Sequence, residues 1–137
     1  MQVVNQVNPS GERMKEFFGG EEDGPFVMVN LLKFKASAEY PDGRETELSG
    51  AEAYAIYARA VFPLVEKHGG RPVFDGTVTG LMLGEVEDNW DMVALVEYPS
   101  LEAFRAMILS SEYQEIAVHR AAGLEGQLNI KTQASAR

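Results

Sequence analysis

The sequence predicts an α+β domain in which four strands form one antiparallel sheet with helices on a single face. Three observations predict it. Asp88–His119 reads as a strand, a Pro99-Ser100 break and two short helical segments. Phe26–Lys35 alternates as a strand with both faces apolar through most of its length, the pattern of a central, covered strand. The periodic segments follow one another as β-α-β-β-α-β behind a short leader, which is the split βαβ order of a ferredoxin-like sheet.

Taken in order, residues 1–9 carry no useful period. Ser10 is placed to cap a leader helix with Met14, Phe17 and Phe18 on one side, stopped by Gly19-Gly20. Gly24-Pro25 turns the chain into the first strand. There Phe26, Met28, Asn30, Leu32 and Phe34 share one face, and Val27, Val29, Leu31, Lys33 and Lys35 share the other. Residues 36–49 form a loop with turn chemistry at Tyr40-Pro41-Asp42-Gly43. Ser49 and Glu52 have capping-box spacing at the start of a long helix striped by Tyr54, Ala58, Val61, Phe62 and Val65. Pro63 is expected to kink or restart this helix, and Gly69-Gly70 to end it. A second strand is expected over Arg71–Gly84 and a third over Trp90–Tyr98, separated by the acidic turn Glu85–Asn89. Ser100 caps the segment with Leu101, Phe104 and Ile108. Ser111 and Gln114 offer a second capping box before Tyr113, Ile116, Ala117 and Arg120. Gly123 closes that helix, and Leu124–Thr132 is the last strand, with Leu124, Leu128 and Ile130 assigned to one face. The expected layout is one domain over residues 1–137: a leader over 1–23, a core over 24–132 and a frayed tail over 133–137.

Composition narrows the function classes. A chain of 137 residues buries roughly two-thirds of its unfolded surface and holds a core without disulfide or metal. The absence of cysteine removes disulfides, zinc–thiolate sites and thiol nucleophiles. No apolar run reaches the roughly 20 residues of a membrane helix, and the N-terminus lacks signal-peptide character, so a cytoplasmic protein is expected. The net charge of −9 argues against nucleic acid and against anionic membrane surfaces as partners. Two histidines and no cysteine leave no metal-site pattern, since Glu85, Glu87, Asp88 and Asp91 do not match a calcium loop.

A sheet covered on one face only must leave either Val27/Val29/Leu31 or Phe26/Met28/Leu32 away from the helices. An apolar face that large is rarely left to water. Pairing it with a second copy through a two-fold interface makes a homodimer the expected assembly.

The segments GPFVMVNLLKFK, SGAEAYAIYA, VEKHGGRPVF, the strand from Asn89-Trp90-Asp91 into VEYPS, SSEYQ and His119-Arg120 together cover most of residues 24–132. In order and spacing they resemble the dimeric α/β-barrel superfamily, and within it the uncharacterised family numbered 1330 among domains of unknown function. The resemblance implies a ferredoxin-like fold and a homodimer whose sheets face each other. It implies no settled reaction: superfamily members include cofactor-free oxygenases, lactone isomerases and haem-degrading enzymes, and fold alone does not choose among them. The order Asn30, Trp90, His119 resembles the haem-degrading branch, but the local segment expected to hold the last two does not align here.

The candidate site residues follow from chemistry. Asn30 interrupts an apolar face, where an unpaired amide costs roughly 1–3 kcal/mol; it is either paired by protein or a pocket group that hydrogen-bonds a substrate. His119 is a candidate general base or haem ligand, or else a partner of its helix dipole. Asn30 and His119 are the catalytic candidates. Arg120 suits a bidentate grip on a substrate carboxylate, or a structural bridge to Glu97 or Asp91. Tyr54, Trp90, Tyr113 and Arg120 are the substrate-binding candidates, with Tyr57 on the same helix as Tyr54 and His68 read as a helix-end residue. The leading reading is a small-molecule pocket between sheet and helices, without a cofactor, acting by oxygenase or isomerase chemistry on a small organic acid or aromatic compound. The rival readings are haem binding or degradation, and a non-enzymatic ligand-binding dimer.

Overall fold

The computed structural model describes residues 3–4, 6–20 and 24–135. Its elements are α1 (Gly11–Phe18), β1 (Phe26–Phe34), α2 (Gly50–Lys67), β2 (Arg71–Thr77), β3 (Met92–Tyr98), α3 (Leu101–Leu109), α4 (Ser111–Gly123) and β4 (Leu124–Thr132). The strands lie in the order β2-β3-β1-β4, and every neighbouring pair is antiparallel. This is the ferredoxin-like α+β arrangement, with the two most apolar strands, β3 and β1, at the centre. The expected tail shows no regular structure over 133–135, and its last two residues lie outside the described ones, as do 1, 2, 5 and 21–23 of the leader.

The helices cover the face that carries Phe26, Met28 and Leu32, all buried. Burial of Phe26 and Met28 against Tyr57, Val61, Leu64 and Val65 of α2 and Met107 of α3 forms the main core. At about 25 cal/mol per Å² of apolar area, such burial is the largest stabilising contribution to a domain of this kind. Phe17 and Phe18 of α1 pack against Phe104, which also stacks on Tyr98 at 4.5 Å between ring centroids, so the leader helix is anchored by aromatic contact. Val27, Val29 and Leu31 take the opposite face.

The caps follow local chemistry. The Ser49 hydroxyl accepts from the Glu52 amide at 3.1 Å while the Glu52 carboxylate accepts from the Ser49 amide at 2.9 Å, completing the capping box. Ser10 and Ser100 accept from Arg13 and Ala103 in the same way. The second box shifts by one residue: Ser110, not Ser111, accepts from the Tyr113 amide, and Gln114 bonds back to the Ile108 carbonyl. α2 runs through Pro63 without restarting, because packing of Val61, Leu64 and Val65 holds the turn on either side. β2 ends at Thr77 rather than Gly84, and residues 78–91 form a connection that exposes Leu81, Met82 and Leu83. β3 begins at Met92, two residues after Trp90, where Asp91 turns its carboxylate to the Phe34 amide and its own amide to the Leu32 carbonyl. Leu124 does not share a face with Leu128 and Ile130. The β1–β4 register shifts between Lys33 and Phe34, and that bulge turns Leu124 into the helix-covered core.

The tightest approach in the fold joins the start of α2 to the end of α4. The Gly50 amide donates to the Lys35 carbonyl at 3.1 Å, and the Lys35 amide donates to the Gly123 carbonyl at 2.8 Å. A methyl group on Gly123 would meet the Gly50 carbonyl oxygen and come within 2.9 Å of the Tyr54 amide nitrogen; one on Gly50 would meet the Lys35 and Gly123 backbones. Backbone has no rotamer with which to yield, so Gly123→Ala and Gly50→Ala are each expected to cost about 2–3 kcal/mol, by the same logic as overpacking. Urea unfolding of each variant measures this. A loss below about 0.5 kcal/mol, the range of an uninvolved surface change, would show that the junction can open without cost.

Candidate functional site

One row of residues crosses the whole sheet on its helix-covered face. By register, Asp75 of β2 lies beside Ala94 of β3, Ala94 beside Asn30 of β1, and Asn30 beside Asn129 of β4. Ala94 is the small member. Above the row stand Tyr54 and Tyr57 of α2 and Tyr113 and Arg120 of α4, and a cavity of about 100 Å³ lies between. The cavity exists because a methyl group at position 94 leaves room that a larger side chain would fill.

The polar groups form a continuous chain. Asn30 Nδ2 donates to the Ala94 carbonyl at 3.1 Å, and Asn30 Oδ1 accepts from Asn129 Nδ2 at 2.7 Å. Asn129 Nδ2 also donates to Gln127 Oε1 at 3.0 Å, and Gln127 Nε2 donates to the Val7 carbonyl at 3.0 Å. Asn30 is thus paired by protein, with a cavity beside it. An amide nitrogen carries two donors, and among the described residues only one from Asn30 Nδ2 is engaged.

The tyrosines supply neutral donors over an apolar wall. Burial pushes the Tyr54 hydroxyl up to about 12, and the nearby Arg120 charge draws it back only partly. Tyr57 is held well above its ordinary value, first by burial and then by Tyr113, whose hydroxyl lies 3.2 Å from its own. Burial raises Tyr98, a further lining residue, in the same direction. Among the described residues the Tyr54 hydroxyl makes no hydrogen bond to protein.

Arg120 turns into the cavity wall, and it bridges neither Glu97 nor Asp91. Glu97 pairs with Arg71 at 3.0 Å and Asp91 with Lys33 at 3.4 Å, both engaged from the other side of the sheet or its end. Arg120 instead donates from Nη2 to the Val7 carbonyl at 2.6 Å and from Nη1 to Asn8 Oδ1 at 3.3 Å.

His119, the next residue back, faces away from the cavity. Its Nδ1 lies 2.7 Å from the Tyr40 hydroxyl, and the two rings meet edge to face. Successive helical positions are about 100° apart, so adjacent residues of α4 cannot both line the same cavity floor. His68 caps the end of α2. Trp90 is half-buried at the entrance to β3 and does not line the cavity. The structure therefore brings together Asn30, Tyr54, Tyr113 and Arg120, and sets His119 and Trp90 apart from them. Asp75, Gln127 and Asn129 are lining residues that sequence reasoning did not select. The available signal was their period-two alternation with Phe74, Leu128 and Ile130.

A broader hollow of about 910 Å³ opens in the 36–49 loop beside Tyr40, Arg44 and Glu47, but it is an open surface groove. Among the described residues no cluster of three or more His, Asp or Glu side chains is arranged to hold a metal, and no helix is long and apolar enough to cross a membrane.

The model for the family described as Domain of unknown function (DUF1330) matches residues 43–132. A protein of unknown function from Rhodopseudomonas palustris, RPA0582, is 34% identical in its crystal structure, with a TM-score of 0.87 over 98% of this chain and 100% of that one. The methylated form of that protein gives 36% identity and the same TM-score over 98% of each chain. A protein from Bacteroides fragilis, described as dimeric, of unknown function and of ferredoxin-like fold, is 14% identical. Its TM-score is 0.54 over 80% of this chain and 96% of its own, a likeness of fold alone. No curated protein matches the chain.

The His119 environment yields a pH prediction. Burial, and then the Arg44 charge, lower its pKa below the ordinary 6.5. A lowered histidine contributes stability that is complete above about pH 6.5 and lost as pH falls through the folded value. Ring-proton NMR titration is expected to place His119 below 6.5 and to move it upward in Arg44→Gln. A midpoint at or above 6.5 in the unaltered chain refutes this reading.

Proposed function

Since the chain belongs to the DUF1330 family of domains of unknown function, we propose that it acts as a homodimer that binds a small organic acid in the cavity between sheet and helices of each subunit. The observation that carries the reading is the polar row Asp75–Ala94–Asn30–Asn129 beneath Tyr54 and Arg120. Asn30 is partly buried at the centre of the row, where an amide costs stability unless paired, and a few convergent polar groups beside an apolar wall are what a ligand site requires. Arg120 supplies the charge that an acid needs. Burial raises the Tyr54 hydroxyl to about 12, which keeps it neutral near pH 7 as a hydrogen-bond donor. Met28, Val61 and Val96 supply the apolar wall.

The ligand is small. About 100 Å³ is well under the roughly 300 Å³ of a site for drug-sized molecules, and a haem is larger still. With His119 outside the lining, these residues do not fit a haem. An enzymatic step in this cavity, of the cofactor-free isomerase kind, would be a proton transfer with Asp75 as base, the one carboxylate among the described lining residues.

Dimerisation is supported by the uncovered sheet face. There Phe74, Leu95, Val29 and Ile130 are neighbours by register across all four strands, with Phe74 58% and Ile130 44% exposed. A contiguous apolar surface of that kind is stable in water when two copies share it.

Two variants separate the parts of this reading. Ala94→Leu fills the cavity floor and is expected to abolish binding of small carboxylic acids, seen by ligand-observed NMR, in a chain that still unfolds cooperatively; retained binding removes the cavity as the site. Leu95→Glu places a charge at the centre of the sheet face and is expected to give a monomer by light scattering at low micromolar concentration. An unaltered chain that is already monomeric there removes the dimer.

A further inference from the structure

The leader meets Arg120 in a geometry that a ligand would share. The two terminal guanidinium nitrogens each donate to a different oxygen of residues 7 and 8: Nη2 to the Val7 carbonyl at 2.6 Å and Nη1 to Asn8 Oδ1 at 3.3 Å. Gln127 Nε2 adds a second donor to the Val7 carbonyl at 3.0 Å. Two oxygens on the two prongs of one guanidinium is the pattern of a bidentate carboxylate. Here both oxygens are neutral. Among the described residues no carboxylate lies within ion-pair distance of Arg120, in a chain whose net charge is −9.

We infer that Arg120 and Gln127 form a carboxylate subsite of the cavity and that residues 6–8 hold it shut, the Val7 and Asn8 oxygens occupying the positions that the ligand's two oxygens take when it binds. This rests on the pocket reading above and adds the ligand's head group and its route of entry. The strap is lightly held. Gln6 pairs with Gln127 as an isolated bridge, its amide donating at 3.2 Å and its carbonyl accepting at 2.9 Å, and both Gln6 and Asn8 are exposed. The next anchor is α1, through Phe17 and Phe18 on Phe104. A carboxylate makes charge-assisted bonds to a guanidinium, roughly twice as strong as those of a neutral carbonyl. It therefore displaces the strap, whereas a neutral ligand of the same shape does not.

The apparent affinity of such a site is reduced by the fraction of molecules with the strap in place. Weakening the strap without touching the cavity must then tighten binding. Gln6→Pro removes the amide that donates to Gln127 and leaves every lining side chain as it is. Benzoate and its neutral counterpart benzamide are the probes, titrated into the full chain by calorimetry. Benzoate is expected to bind at least about tenfold more tightly than benzamide, and Gln6→Pro to tighten benzoate by about fivefold, the value of one hydrogen bond. In the unaltered chain benzoate is expected to speed hydrogen exchange at the Gln6 amide. Unchanged or weaker benzoate binding in Gln6→Pro, or slower exchange at Gln6 when benzoate binds, overturns the gate: the leader is then a brace or a closing lid. Equal binding of the two probes, still abolished by Ala94→Leu, keeps the pocket and overturns the carboxylate subsite. No binding of either probe to either protein overturns both.

Discussion

The close approach of Gly50 and Gly123 is the constraint on which the rest of the structure depends. Both residues lack a Cβ where one would strike backbone, and the Lys35 peptide bonds to each of them. The contact brings the first turn of α2 against the last turn of α4 while tying both to the end of β1. Tyr54 lies one turn after Gly50 and Arg120 one turn before Gly123. The glycine contact therefore sets the distance between the two side chains that roof the cavity, and the influence of the Arg120 charge on Tyr54 is its electrostatic trace. A wider junction would separate them and open the space to water.

The sheet below has two characters one residue apart. Asp75, Ala94, Asn30 and Asn129 form a row toward the helices; Phe74, Leu95, Val29 and Ile130 form the adjacent row on the other side. A slip of one residue in any strand would exchange them, burying an apolar set in the cavity and exposing the amides. The bulge between Lys33 and Phe34 lets β4 keep the polar residues Gln127 and Asn129 in the first register and still bury Leu124 at the end of the strand. The amide chain from the Ala94 carbonyl through Asn30, Asn129 and Gln127 to Val7 then satisfies the buried Gln127 amide, which would otherwise cost roughly 1–3 kcal/mol, and the partly buried Asn30. Its last link binds the leader to the site, so the leader's packing and the cavity's polarity are one system.

Much of this was legible in the chain, and the reasons differ by element. β1 was readable because apolar alternation on both faces is a strong local signal, and α2 because Ser49 and Glu52 announce its start through side-chain chemistry alone. Asn30 was readable as a polar residue on an apolar face. β2 is shorter than Gly76 and Gly80 allow, because after the Val78 amide bonds to the Asp91 carbonyl the chain leaves the sheet. Trp90 and His119 stood out by rarity, which says nothing of direction. His119 turns to Tyr40 because the 36–49 loop folds back on α4, a contact between residues 79 positions apart.

Local periodicity, caps and the order of segments determined the fold class, the strand and helix identities, and the presence of an apolar second sheet face, since each depends on neighbours within a few residues. Which face the helices cover, which side of α4 meets the cavity, the row that joins Asp75 to Asn129, and the hold of Val7 and Asn8 on Arg120 were decided by tertiary structure alone. Each requires knowing how far apart two distant backbone segments come to rest, and that distance is set here by two glycines, 73 residues apart in the chain, that no local pattern pairs.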